Sequence, residues 1–278
     1  MRKCRWLVLV ICFLFTGCGT KFAYNNIGWF IVSYIEDFVS LSNSQESELE
    51  ERLDILQKWH KETQLSLYIS QLEAIQNVER SDMSLAFIVG QSEQTKEHIR
   101  TIVNKFAPDI YALSMQLSPK QDREFLKNFR EKQQDYYEER LSLNDADSRE
   151  RYRNRIEERT ERWLGSVSKE QNQIILVWSQ EWVNTNNSWR QYQNNTYQEL
   201  TTLMEKKSDL HIAQPIIMNL LLNNEAYYPD ELEPQLNQNM ETSAKFLVDI
   251  AATSSDKQWS YFMNELESLK STLVTLQE

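Results

Sequence analysis

Apolar residues recur every three or four positions along almost the whole chain, the spacing that lines one face of a helix. Ile27, Phe30, Ile31, Tyr34, Ile35 and Phe38 predict a helix over 27–39. Leu49, Leu53, Leu56 and Trp59, continued by Leu65, Tyr68, Ile69, Leu72 and Ile75, predict one long helix over 43–77. A third helix is expected over 82–116, with Gly90 and Pro108 as weak points. Phe125, Phe129, Tyr136 and Leu141 place a fourth over 119–143, and a charged helix follows Asn144-Asp145 to residue 164. Trp178, Trp182, Thr185, Trp189, Tyr192, Thr196 and Leu203 form a coiled-coil-like seam, predicting a single helix over 169–206. A short apolar helix over 209–223 precedes a break at Tyr227-Tyr228-Pro229 and Pro234. Helices over 236–252 and 256–277 close the chain; the last is striped by Trp259, Phe262, Leu266, Leu269, Leu273 and Leu276. No alternating strand pattern competes. The expected fold is all-α, an elongated antiparallel bundle of long amphipathic helices over 27–278, with room for two subdomains.

Ser-x-x-Gln occurs at Ser42–Gln45, Ser118–Gln121, Ser168–Gln171 and Ser255–Gln258, each where a helix should begin. The Ser hydroxyl can accept from the amide three residues on, and the Gln side chain can accept from the Ser amide, which is a capping box. The copies are unevenly spaced, so they mark helix starts and no solenoid period.

The N-terminus carries a different signal. Arg2, Lys3 and Arg5 precede ten uncharged apolar residues, Trp6 to Phe15. A basic patch, an apolar run and small residues make a secretory signal peptide. The run is too short for a spanning helix, which needs about 20 apolar residues. Phe15-Thr16-Gly17-Cys18 looks like a bacterial lipobox, with Phe15 where Leu is usual. The expectation is a signal peptide over 1–17, lipid on Cys18, and a short tether over 18–26. The alternative is an ordinary secretory peptide cut nearby, with Cys18 incidental. Of the three cysteines, at 4, 12 and 18, only Cys18 survives such processing, which leaves no internal disulfide. Lipoproteins of this kind carry three acyl chains, and more than one chain gives durable anchoring. In them Asp after the Cys favours the inner membrane; here Gly19 points to the outer membrane, facing the periplasm.

Charge and composition narrow the chemistry. Losing Arg2, Lys3 and Arg5 moves the net charge from -11 to -14, which argues against nucleic acid. The residues three before His60, His98 and His211 are Gln57, Thr95 and Ser208, so the Glu-x-x-His of di-iron bundles never occurs. No Gly-rich phosphate loop, His-Glu-x-x-His or Gly-x-Ser-x-Gly is present. No metal, no cofactor and no catalytic residue is assigned. Glu46, Glu48, Glu50 and Glu51 suit a helix N-terminus and a solvated face. The arginines at 149, 151, 153, 155, 159 and 162 alternate with Glu150, Glu157, Glu158 and Glu161, as on an exposed helix laced with ion pairs. Trp178, Trp182 and Trp189 suit a core seam better than a sugar or peptide platform, and Trp59-His60 suits a packed pair.

Leu41-Ser42-Asn43-Ser44-Gln45 and Leu117-Ser118-Pro119-Lys120-Gln121 resemble the Leu-Thr-x-x-Gln motif of CpxP/Spy-type periplasmic proteins over a few residues. That likeness implies a helical, envelope-stress-linked, chaperone-like protein. A broader likeness, over most of the chain, is to an uncharacterised family of proteobacterial helical lipoproteins. It rests on Tyr24-Asn25-Asn26 to Trp29, on Trp59-His60, and on helix starts at Gln121, Gln171 and Gln258. It implies architecture and address, with no activity attached. The expected function is therefore a non-enzymatic interaction or chaperone-like protein, partnered by the bilayer through acylated Cys18 and by periplasmic or outer-membrane proteins. The alternatives are a structural envelope protein, or a protein that binds or hydrolyses cell-wall glycan. Replacing Cys18 with Ser should release the protein from the membrane fraction and remove the mass of the acyl chains. A variant that stays membrane-bound at unchanged mass contradicts the anchor.

Overall fold

A computed structural model describes residues 17–278, and every regular element among them is helical. The signal peptide expected over 1–17 lies, apart from Gly17, outside the described residues. The helices are α1 Gly17–Asn25, α2 Ile27–Glu36, α3 Asn43–Thr63, α4 Leu65–Gln76, α5 Leu85–Met115 and α6 Pro119–Tyr136. They continue with α7 Asp145–Leu164, α8 Lys169–Glu181, α9 Asn186–Glu205, α10 Leu210–Leu222, α11 Leu232–Thr253 and α12 Asp256–Gln277. Short 3-10 turns at Arg80–Asp82 and Asn224–Tyr227, and a π turn at Tyr137–Leu141, complete the set. The chain forms two compact units. One comprises residues to Val78 with Met263–Glu278; the other is Glu79–Phe262. Helix α12 begins in the second and ends in the first.

In the first unit α2 packs on α3, and Val32, Val39, Leu49, Leu53, Leu65, Leu266 and Leu276 are buried. Gln76 Nε2 donates to Glu267 Oε2 at 3.0 Å, tying α4 to the returning end of α12. Residues 19–26, expected as a tether, are largely wound into α1, so they rise only about 1.5 Å per residue. The helix expected over 43–77 is interrupted at the buried Gln64 (φ -101°), where Leu65 starts α4. Thr63 Oγ1 donates back to Trp59 O at 2.7 Å, the local competition with the backbone that bends or ends helices.

In the second unit one core joins α7, α8 and α11 through Leu164, Ile175, Trp178, Phe246 and Ile250. A second joins α9 and α10 through Leu203, Ala213 and Ile217, with Tyr111 of α5 against it. Pro108 sits inside α5 and Pro215 inside α10 without ending either. Gly165 closes α7 in the left-handed conformation (φ 74°), under the Tyr261 ring, which a Cβ would approach to 3.1 Å.

The helix expected over 169–206 is broken. Trp182 turns to extended backbone (ψ 126°), and α9 resumes only at Asn186. The Trp178–Leu203 seam is therefore divided between two helices. Two distant side chains hold the break. Arg149 Nη1 donates to Ser179 O, Gln180 O and Trp182 O at 2.8–2.9 Å, satisfying carbonyls that the ending helix leaves open. Asn239 of α11 accepts from Val183 N at 2.8 Å and donates to Val183 O at 2.9 Å.

The four Ser-x-x-Gln sites named above lie at helix starts; a fifth copy, Ser188–Gln191, falls inside α9, where Ser188 Oγ donates to Gln235 Oε1 at 2.8 Å instead of capping. Ser42, Ser118 and Ser168 form complete capping boxes. At Ser255, Gln258 N donates to Ser255 Oγ at 3.2 Å and Ser255 N to Gln258 Oε1 at 2.9 Å. Two of the boxes do more than cap. Gln171 and Gln258 are both buried, and they meet. Gln258 Nε2 donates to Gln171 Oε1 at 2.8 Å and to Ser166 O at 3.0 Å. A carboxylate has no N–H to donate, so Gln258→Glu should remove both of these bonds while keeping the cap, leaving Gln171 Oε1 only its bond from Ser168 N. The expected loss is about 1–3 kcal/mol in denaturant unfolding. An unchanged midpoint would show that the pair contributes nothing.

Candidate functional site

Half-buried titratable groups converge where α1 meets α3 and α4. Tyr24 lies on α1, His60 near the end of α3 and Tyr68 in the first turn of α4. The break at Gln64 swings Tyr68 back toward His60, eight residues earlier. The Tyr24 hydroxyl lies 3.0 Å from His60 Nδ1, and the Tyr68 hydroxyl 3.1 Å from Nε2. The imidazole centroid is 5.9 Å from the Tyr24 ring and 5.5 Å from the Tyr68 ring. Gln57 Nε2 donates to Tyr24 O, adding a second tie from α3 to α1.

Burial disfavours charge on all three groups. It pushes the Tyr24 phenol up to about 12, helped by the neighbouring Tyr68, and raises Tyr68 as well. It lowers His60 below its ordinary value of 6.5. At neutral pH the trio is an uncharged chain. A neutral imidazole has one donor and one acceptor, so one phenol donates to the ring and the other accepts from it. Such a chain can relay a proton or fix three helices; it presents no charged nucleophile.

The other sequence candidates fall elsewhere. Cys18 lies in α1 two turns before Tyr24, and its side chain is outside the described ones. Trp59 is half-buried beside His60. Trp29, from the same motif as Tyr24, points outward. Glu46 occupies the first turn of α3, and Glu48 pairs with Arg52 at 2.6 Å, as a helix start and solvated face require. On α7, Arg149 pairs with Asp145 at 2.8 Å and caps α8, while Arg151 donates to Glu139 O at 3.2 Å. Arginines from this run therefore also close main-chain ends rather than serving only as ion-pair partners. Asp147, Glu150, Arg151, Asn154, Arg155 and Glu158 line an open groove along one face of α7, with no aromatic among them.

Trp178 is core, 4.9 Å from the half-buried Trp182 between ring centroids, and Trp182 packs on Tyr152. Trp189 belongs to a separate edge-to-face trio with Tyr192 and Tyr228 at 5.2–6.0 Å. The three tryptophans do not form one platform. Among the described residues no group of three or more His, Cys, Asp or Glu is placed to hold a metal ion.

One buried ion pair had no signal in the sequence. Lys207, beyond α9, donates to both Asp122 oxygens at 2.6 and 2.7 Å and to Leu117 O at 2.6 Å. It pins the start of α6 against the end of α9 across 85 residues of chain. The Arg130, Arg140 and Arg190 guanidinium groups lie over the Tyr197, Tyr136 and Tyr137 rings, at 5.0, 5.3 and 4.2 Å.

The lowered His60 value has a stability consequence. The unfolded chain protonates near pH 6.5, the folded chain only further down, so the unfolded state binds more protons in that window. Stability should therefore fall as pH drops below 6.5. His60→Gln keeps a donor and an acceptor but removes the titration. Thermal unfolding curves of the two forms should diverge between pH 7 and pH 5; parallel curves would contradict the burial of a neutral imidazole.

A model of a family of unknown function (DUF6279) matches residues 37–233. No curated protein and no solved structure matches the chain.

Proposed function

The chain belongs to DUF6279, a family of unknown function, and we propose that it is a non-enzymatic interaction protein of the bacterial envelope. Lipid on Cys18 holds it to the outer membrane, facing the periplasm. The observation that carries the reading is Thr16-Gly17-Cys18 after the apolar run Trp6–Phe15, with Cys18 set at the head of α1. α1 is short, about 13 Å from end to end, and Gln57 and His60 fasten it to α3. A lipid at its head therefore keeps the folded first unit near the bilayer, where membrane-proximal partners are met.

The net charge of -14 after loss of the leader favours basic or neutral partners. A purely structural envelope role is the second reading. It is favoured by the side chains of the candidate site, whose polar atoms tie helix to helix. Hydrolysis of cell-wall glycan would need two carboxylates across a sugar-sized cleft. The charged groove on α7 has carboxylates but no aromatic wall.

A photoactivatable residue in place of the exposed Leu67 on α4 or Ile99 on α5 separates the readings. In living cells the interaction reading expects discrete protein adducts that disappear in the Cys18→Ser background. Adducts with peptidoglycan alone, or none from either position, favour the structural role. A purified Cys18→Ser chain that fails to slow aggregation of an unfolded client rules out chaperone-like action specifically.

A further inference from the structure

The inner and outer faces of α1 and α2 differ in kind. Tyr24, Gly28 and Val32 turn toward α3: Tyr24 bonds His60, Gly28 sits over Leu53, and Val32 is buried. On the outer side Phe22 is 66% exposed, Trp29 63%, Tyr34 51% and Ile27 39%. The register passes through the join between the helices, because Asn26 N donates to Phe22 O and Phe30 N to Asn26 O. At 3.6 residues per turn, positions 18, 22 and 29 fall within roughly 40° of one another. No charged residue occurs from Phe22 to Ile35; Lys21 and Glu36 bound the stretch.

We propose that this outer face, carried by Phe22, Ile27, Trp29 and Tyr34, beds into the headgroup–acyl boundary of the membrane that takes the lipid on Cys18. The proposal rests on the anchoring reading above and extends it from a point attachment to a surface. Three features select a bilayer as the occupant. The attachment residue lies one helical turn before Phe22, on the same side of the helix. Trp and Tyr suit an interface that is apolar below and wet above. The uncharged stretch lies in a strongly acidic chain, so the contact does not depend on attraction to anionic headgroups. No described helix is long and apolar enough to cross a membrane, and this face needs only to lie on one.

Ser33 is exposed on the same outer side, and a label there replaces nothing apolar. The full chain with Ser33→Cys would be purified from membranes, labelled with an environment-sensitive fluorophore, and its labelled site and acyl mass determined. It would then be reconstituted into phosphatidylcholine vesicles containing lipid quenchers at a shallow acyl carbon. The same label introduced through Glu50→Cys, at an exposed position of α3, serves as control.

The expected result is a blue-shifted label at position 33, quenched by the lipid, and a water-exposed label at position 50. Phe22→Ser with Trp29→Ser should abolish most of that quenching while acylation persists. An acylated protein whose label at position 33 stays in water overturns the docking face and leaves the anchor standing. An unacylated protein whose label is quenched does the reverse. With neither acyl chains nor quenching, both fall. A blue-shifted label that lipid cannot quench means that protein covers the face, either a second copy or residues 1–16, and also overturns the proposal.

Discussion

The second unit depends on closing both ends of α8. A helix leaves its first amides and last carbonyls without partners, and burying them unmet costs about 1–3 kcal/mol each. The start of α8 is closed by Ser168 and Gln171, with Gln258 from the start of α12 against them. Its end is closed by Arg149 from α7, and the extended segment beyond it by Asn239 from α11. Helices α7, α8 and α11 also supply the core of Leu164, Ile175, Trp178, Phe246 and Ile250. The apolar contacts and the closed ends require one another. α8 can bury Ile175 and Trp178 between α7 and α11 only if its termini are satisfied there. Arg149 and Asn239 reach those termini only when the core has formed.

The helical class was legible because it rests on local order: apolar residues at three- and four-residue spacing, four Ser-x-x-Gln starts, few Gly and Pro. Those signals also placed most helix starts within a few residues. The interruptions were not legible, and for a common reason. The stripe Trp178, Trp182, Thr185, Trp189 satisfies a continuous helix as well as it satisfies two. What decides is Asn239, 56 residues from Val183, and Arg149, 33 residues from Trp182. At Gln64 too the stripe of Leu56, Trp59 and Leu65 runs on unbroken, though there the bond that competes with the backbone is local, from Thr63 Oγ1 to Trp59 O. Periodicity reports what one helix would do alone; it is silent about side chains that arrive from elsewhere and stabilise an alternative backbone.

The candidate site was half legible. Tyr24 and His60 both stood out in short motifs, but nothing in the sequence joined them. The tie depends on the last turn of α1 meeting α3 near its end, and on Tyr68 reaching His60 across the break at Gln64. Capping accounts for only part of what Gln171 and Gln258 do. Their burial explains why an amide stands at these positions rather than Glu, which would also complete a capping box. A carboxylate could accept from the Ser amide but could not donate to the opposite side chain. Lys207 and Asp122 were invisible because neither residue belongs to a local pattern.

The neutral Tyr24–His60–Tyr68 chain and the outer aromatic face are two sides of one element. Acyl chains on a single residue retain a protein at a membrane but leave its body free to swivel about the attachment point. A second contact, offset along the helix, limits that rotation. The offset must be rigid to do so, because a face on a loosely held helix would bed into the bilayer without orienting the rest of the first unit. His60 and Gln57 supply the rigidity from within, gripping α1 by its Tyr24 side chain and main-chain carbonyl. Leu53 packs beneath Gly28 and holds the start of α2 close. Because the grip uses uncharged partners, it does not add to the acidic field that an anionic surface would repel. With the outer face bedded in a bilayer as proposed, an ion pair in its place would bury charge beside a low-dielectric medium, where desolvation is most costly. In the proposed arrangement, a polar but neutral pin inside and an uncharged aromatic face outside meet the same constraint from opposite sides of the α1–α2 segment.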